Sequence, residues 1–127
     1  MFKKLSIILF VFFITPCLAA PKAHYYYEKD YKKAWCSAHC GQQEVILPDK
    51  TRVDCLTDTH AIEFDFAHKW TESIGQALYY AQATNKKAGI VLIVENAQKD
   101  QKYLDRVKAV AEKYDITVWV MTPDKMK

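Results

Sequence analysis

Arg52-Val-Asp-Cys-Leu56 and, after a short turn, Ala61-Ile-Glu-Phe-Asp-Phe66 decide how this chain is read. In an extended strand successive side chains point to opposite faces. Ile62, Phe64 and Phe66 are therefore expected to face a core, with Glu63 and Asp65 together on the other side. Asp54 arrives from the preceding strand. Such a set of hard oxygen donors suits Mg²⁺ or Mn²⁺. Stability alone does not call for it, because like charges on one strand face repel.

Working outward, Glu28 to about His39 carries Tyr31, Ala34, Trp35 and Ala38 at helical spacing, and Gly41 is expected to end that helix. Glu44 to Leu47 and Thr51 to Leu56 read as a hairpin around Pro48-Asp49-Lys50, and Ala61 to Phe66 as a third strand. His68 to about Thr84 is a helix with an apolar seam of Ile74, Leu78 and Ala81, closed by Asn85. Gly89 to Val94 is continuously apolar, as a strand buried on both faces would be. An amphipathic helix from Ala97 to Lys113, with Leu104, Val107, Val110 and Ala111 inward, and a strand from Ile116 to Met121 complete the order α-β-β-β-α-β-α-β. The fold class is α/β, a mixed sheet flanked by helices in one domain.

Lys69, Gln76 and Tyr80 lie at i, i+7 and i+11, and so share a helix face roughly opposite Ile74 and Leu78. Lys69 in the first turn falls within reach of Glu63 and Asp65. Carboxylates, a lysine and an amide on one rim suit hydrolysis of a phosphodiester, with a metal ion activating water and stabilising negative charge.

The segment resembles the PD-(D/E)XK nuclease superfamily, particularly its RecB-like branch. Four stretches carry the resemblance: Gly41-Gln-Gln-Glu44, Arg52-Val-Asp54, Ile62-Glu63 and Gln76-Ala-Leu-Tyr-Tyr80. The resemblance implies a restriction-endonuclease-like αβββαβ core with an added C-terminal αβ, and a Mg²⁺- or Mn²⁺-dependent nuclease. Asp54 and Glu63 would be the principal metal ligands, and Glu44 an accessory ligand or water orienter; Asp65, an extra carboxylate that the residues themselves supply, favours a divalent cation and is a further metal candidate. Gln76 and Tyr80 would contact the nucleic-acid backbone or brace the site. The pattern departs from the family at Asp65, where lysine is expected. Either Lys69 takes over that lysine's role from the following helix, or the site binds metal or nucleic acid without efficient cleavage.

The N-terminus reads as an export signal. Lys3 and Lys4 precede an apolar run from Leu5 to Ile14, and small residues follow at Ala19 and Ala20. The run is short for a membrane span, so residues 1–19 are expected to be removed and 20–127 to form a single domain with no membrane span, periplasmic or secreted. Losing Lys3 and Lys4 takes the formal charge from +3 to +1, a small basic bias that argues mildly against tight nonspecific nucleic-acid binding. Lys32-Lys33, Lys86-Lys87 and Lys99 to Lys102 read as solvated surface or as phosphate contacts.

Export makes a disulfide among Cys36, Cys40 and Cys55 the default, with the pairing open. Cys36-x-x-His39-Cys40 could alternatively ligate Zn²⁺.

Plainer roles exist for the same residues. Arg52 and Asp54 could form an ordinary ion pair, and Glu63 and Asp65 could pair with Lys69. His60 and His68 read as turn or cap residues, and Trp35, Trp70 and Trp119 as core aromatics. The partner expected from the whole is nucleic acid, DNA ahead of RNA. Two other classes compete: a catalytically inactive nuclease-fold module that binds nucleic acid or a protein, and a disulfide-stabilised exported protein without catalysis.

Overall fold

The computed structural model describes residues 24–127. The expected export signal and its cut site lie outside the described residues. Helix α1 spans Glu28–Ala38 and is followed by strands β1 (Gln42–Ile46), β2 (Arg52–Leu56) and β3 (His60–Phe66). A 3₁₀ turn, Ala67–Lys69, leads into α2 (Trp70–Thr84); β4 (Lys87–Ile93), α3 (Ala97–Tyr114) and β5 (Ile116–Met121) follow. The strands form one mixed sheet in the order β1-β2-β3-β4-β5. β1, β2 and β3 run antiparallel to one another in turn, and β3, β4 and β5 are parallel. Among the described residues no helix is long and apolar enough to cross a membrane.

Two cores sandwich the sheet. Tyr31, Trp35 and Cys36 of α1 pack with Ile62, Phe64 and Phe66 on one face. Ala77 of α2 and Leu104, Val107 and Ala111 of α3 pack with Ile90 and Leu92 on the other. β4 is buried from Ala88 onward, as its continuously apolar sequence demands when helices cover both faces.

Three details differ from the sequence reading. α2 buries Ser73, Ala77 and Tyr80 rather than Ile74, Leu78 and Ala81, which are half-buried and pack with the α3 core. The small Ser73 and Ala77 let the helix approach the sheet closely, while the larger side chains fill the helix–helix groove. On α1, Ala34 and Ala38 are exposed, and Lys32 and Cys36 are buried beside Tyr31 and Trp35. Finally, Cys40, not Gly41, takes the left-handed backbone after α1, with φ 53°. Gly41 is needed for space, since a Cβ there would strike the Sγ atoms of both Cys36 and Cys55.

Those two cysteines form a disulfide, with Cα atoms 6.0 Å apart. Cys40 remains free and exposed. The bond removes Cys36 from any Zn²⁺ site and ties α1 to β2 next to Asp54. A disulfide is compatible with an exported protein.

Candidate active site at the fork of two strands

β2 and β3 pair only through Cys55–Ile62 and Leu56–Ala61. Continued by one step, the register would set Asp54 opposite Glu63, and there the ladder stops. Side chains replace it. Asp54 Oδ2 accepts the Phe64 N–H at 3.0 Å, and the Asp54 N–H donates to Glu63 Oε1 at 3.4 Å. Alternation also breaks at this point. Val53 packs with Ala61 and Tyr80, whereas Cys55, two residues on, packs in the α1 core. In an unbroken strand both would share a face. The chain turns over at Asp54, and its carboxylate lies in the opening.

β1 is irregular at the matching place. Glu44, opposite Asp54 in register, has φ 55°, an uncommon conformation for a residue with a Cβ. Its carboxylate bonds the ammonium of Lys32, and its other oxygen lies 2.5 Å from Arg52 Nε. Lys32 Nζ also donates to Asp54 Oδ1 at 2.8 Å. The pair anticipated for Arg52 with Asp54 is thus replaced by Arg52–Glu44 and Lys32–Asp54.

A cavity of about 330 Å³ opens at the fork. Asp54, Glu63, Asp65, Lys69, Gln76 and Tyr80 all line it, joined by Glu28, Arg52, Phe64 and Glu72. Every singled-out residue except Glu44 therefore meets in one place, and Glu44 adjoins it through Lys32. Glu63 and Asp65 share the α2 side of β3 but are buried, only 3% and 5% exposed. They do not pair with Lys69, which among the described residues forms no ion pair and stands exposed at the mouth. Gln76 is exposed and Tyr80 buried.

Five carboxyls against Arg52 and Lys69 on the lining make the cavity over-acidic. Burial, and then the charge of Asp54, push the Glu63 carboxyl far above the usual range. Burial and the neighbouring Glu28 push Asp65 up to about 7, with Lys69 opposing. Glu28 is itself raised, by burial and then Asp54. Burial alone would depress Lys32, yet its bonds to Asp54 and Glu44 prevail and hold it above the ordinary lysine value.

Among the described residues no three His, Cys, Asp or Glu side chains are disposed to hold one metal ion. The donor chemistry nevertheless suits a hard ion bound as Mg²⁺ usually is, by one or two carboxylates with water and phosphate completing the shell. Asp54 and Glu63 would hold it.

Lys32 and Glu28 are the residues that sequence reasoning missed. The signal was present: Glu28, Lys32 and Cys36 follow at i, i+4 and i+8, on one stripe of α1. Pairing Cys36 with Cys55 brings Lys32, one turn earlier, onto Asp54.

The remaining aromatics have structural partners. His60 Nε2 lies 3.0 Å from Thr117 Oγ1, and its ring meets Trp119 edge-on. Trp35 and Trp119 contact each other in the α1 core. Trp70 packs against the α3 side, with the Arg106 guanidinium 6.0 Å from its ring. Comparison with models of protein families, with curated proteins and with solved structures finds no match to this chain.

Proposed function

We propose that this chain is an exported, Mg²⁺- or Mn²⁺-dependent nuclease of the PD-(D/E)XK type, hydrolysing phosphodiester bonds in nucleic acid, with DNA ahead of RNA as the substrate. The observation that carries the reading is the fork. Residues from β2, β3 and α2 that the motif order singles out converge on one cavity, where the sheet ladder is interrupted and acid is left without enough countercharge. The α-β-β-β-α-β element order supports the same reading.

In this proposal Asp54 and Glu63 bind the ion, and Asp65 behind them adds negative potential. A bound ion would favour the ionised form of Glu63, its proton passing to solvent, and would supply a Lewis acid and a water of lowered pKa. Lys69, exposed at the mouth, meets the phosphate and orients the attacking water. Gln76 contacts the nucleic-acid backbone from the outer face of α2, while Tyr80, being buried, braces β2 against that helix. Glu44 acts on the site through Lys32.

A second reading has its own observation. The Lys32 ammonium already compensates Asp54 and Glu44, which suits a nuclease-like module that binds without turnover. The two are separated by incubating the chain from Ala20 onward with linear DNA, circular DNA and RNA in Mg²⁺, Mn²⁺ or EDTA. The nuclease reading expects metal-dependent cleavage that Asp54→Ala, Glu63→Ala and Lys69→Ala each abolish. Cleavage that survives the first two changes would discard the site assignment. Binding without cleavage on every substrate would favour the module.

A further inference from the structure

Both carboxylate oxygens of Asp54 are in use, but unequally. Oδ2 is held by the Phe64 backbone N–H, which cannot leave without moving β3. Oδ1 is held by the tip of the Lys32 side chain, four rotatable bonds from α1. A cation approaching Asp54 therefore has one replaceable partner. Lys32 is only 7% exposed, so it does not trade freely with solvent cations. Its ammonium also has somewhere to go, because it already bonds Glu44. Glu44's other oxygen forms an ion pair with Arg52. The disulfide one turn along α1 fixes the base of the lysine and leaves only the side chain to move.

We infer that Lys32 is the resident counter-ion of the site: its ammonium occupies Asp54 while no metal ion is bound, withdraws onto Glu44 when a divalent cation arrives, and thereby sets the concentration at which the site fills. The inference rests on the reading of Asp54 and Glu63 as ion ligands. A positive charge within a few ångströms of the incoming ion opposes it strongly in a part-buried setting. Displacement relieves part of that opposition, with Glu44 still compensating the ammonium.

The test is Mn²⁺ binding without nucleic acid, followed by calorimetry and by the paramagnetic resonance of free Mn²⁺. It compares the chain from Ala20 onward with its Lys32→Met, Lys32→Arg and Asp54→Asn forms. Lys32→Met should bind Mn²⁺ at least about tenfold more tightly, Lys32→Arg within about threefold of the parent, and Asp54→Asn weakly. Binding by the Met form alone also supports the inference. Equal or weaker binding by the Met form, with the parent binding normally, overturns it and leaves the ion-ligand reading standing. No binding by either form overturns both.

Should Lys32→Met fail to fold, the parent protein decides. With lysine side chains isotopically labelled, the Lys32 ammonium resonance should shift along the Mg²⁺ saturation curve. A Lys32 signal unchanged at saturation refutes displacement.

Discussion

Glu63, buried within β3, and Glu95, part-buried just past the end of β4, are both shielded glutamates, and their surroundings have opposite effects. Glu95 Oε1 accepts the Tyr31 hydroxyl at 2.8 Å and the Tyr25 N–H at 2.9 Å, and His24 Nδ1 lies 2.8 Å from Oε2. Burial raises its pKa, but the hydrogen bonds from Tyr31 and His24 and from the backbone outweigh that and hold the carboxyl below its usual range. Glu63 is driven upward by burial first and by the Asp54 carboxylate second, against only one long bond from the Asp54 N–H. Burial acts upward on both carboxyls, more strongly on Glu63, and the number and charge of the partners then send the two in opposite directions.

The sharpest way to break this contrast is to truncate each glutamate. Glu63→Ala should lower metal-dependent cleavage on the order of 10³-fold while the fold holds, as read by initial rates and circular dichroism. An active Glu63→Ala form would mean that the two carboxyls do not differ in kind. Next in size is the Cys36–Cys55 bridge, which holds α1, and with it Lys32, over the fork. Opening a disulfide that spans 19 residues by replacing both cysteines with alanine should cost about 3 kcal/mol in urea unfolding. A loss near zero would show that α1 is seated by Tyr31 and Trp35 alone.

Glu95→Ala should leave cleavage intact and lower stability by about 2 kcal/mol, because the buried Tyr31 hydroxyl loses its acceptor. Equal denaturation midpoints for Glu95→Ala and the parent would deny Glu95 its anchoring role. The smallest effect concerns Asp65, which faces Glu28, Glu72 and Lys69. Its folded pKa of about 7 exceeds the ordinary 3.8, so its contribution is intact below about pH 4 and is lost as pH rises through about 7. Asp65→Asn should therefore raise the melting temperature a little at about pH 8 and flatten its dependence on pH. A lower melting temperature at that pH would mean that Lys69 compensates Asp65 fully.

Much of the framework was legible because it depends on local periodicity. Ile62, Phe64 and Phe66 alternate with Glu63 and Asp65 in sequence and do so in space. The apolar run into Val94 is long enough only for a strand covered on both faces. The fork was not legible. No residue type in Arg52 to Leu56 announces that pairing with β3 ends at Cys55, since that depends on the Asp54 carboxylate taking the place of a ladder bond to Phe64, which side-chain alternation does not encode. Among the lysine clusters read as solvated surface or phosphate contacts, Lys32 is instead buried. Only the disulfide and the register of β1, β2 and β3 bring Asp54 and Glu44 to it.

By itself, the sequence determined the α/β class, the order of elements and the identity of the acids, because spacing along a strand or helix fixes which side chains share a face. The tertiary structure decided how far those acids are buried, which cation sits among them and which cysteines join. Those outcomes depend on contacts between residues far apart in the chain, and it is there that desolvation and charge balance are set.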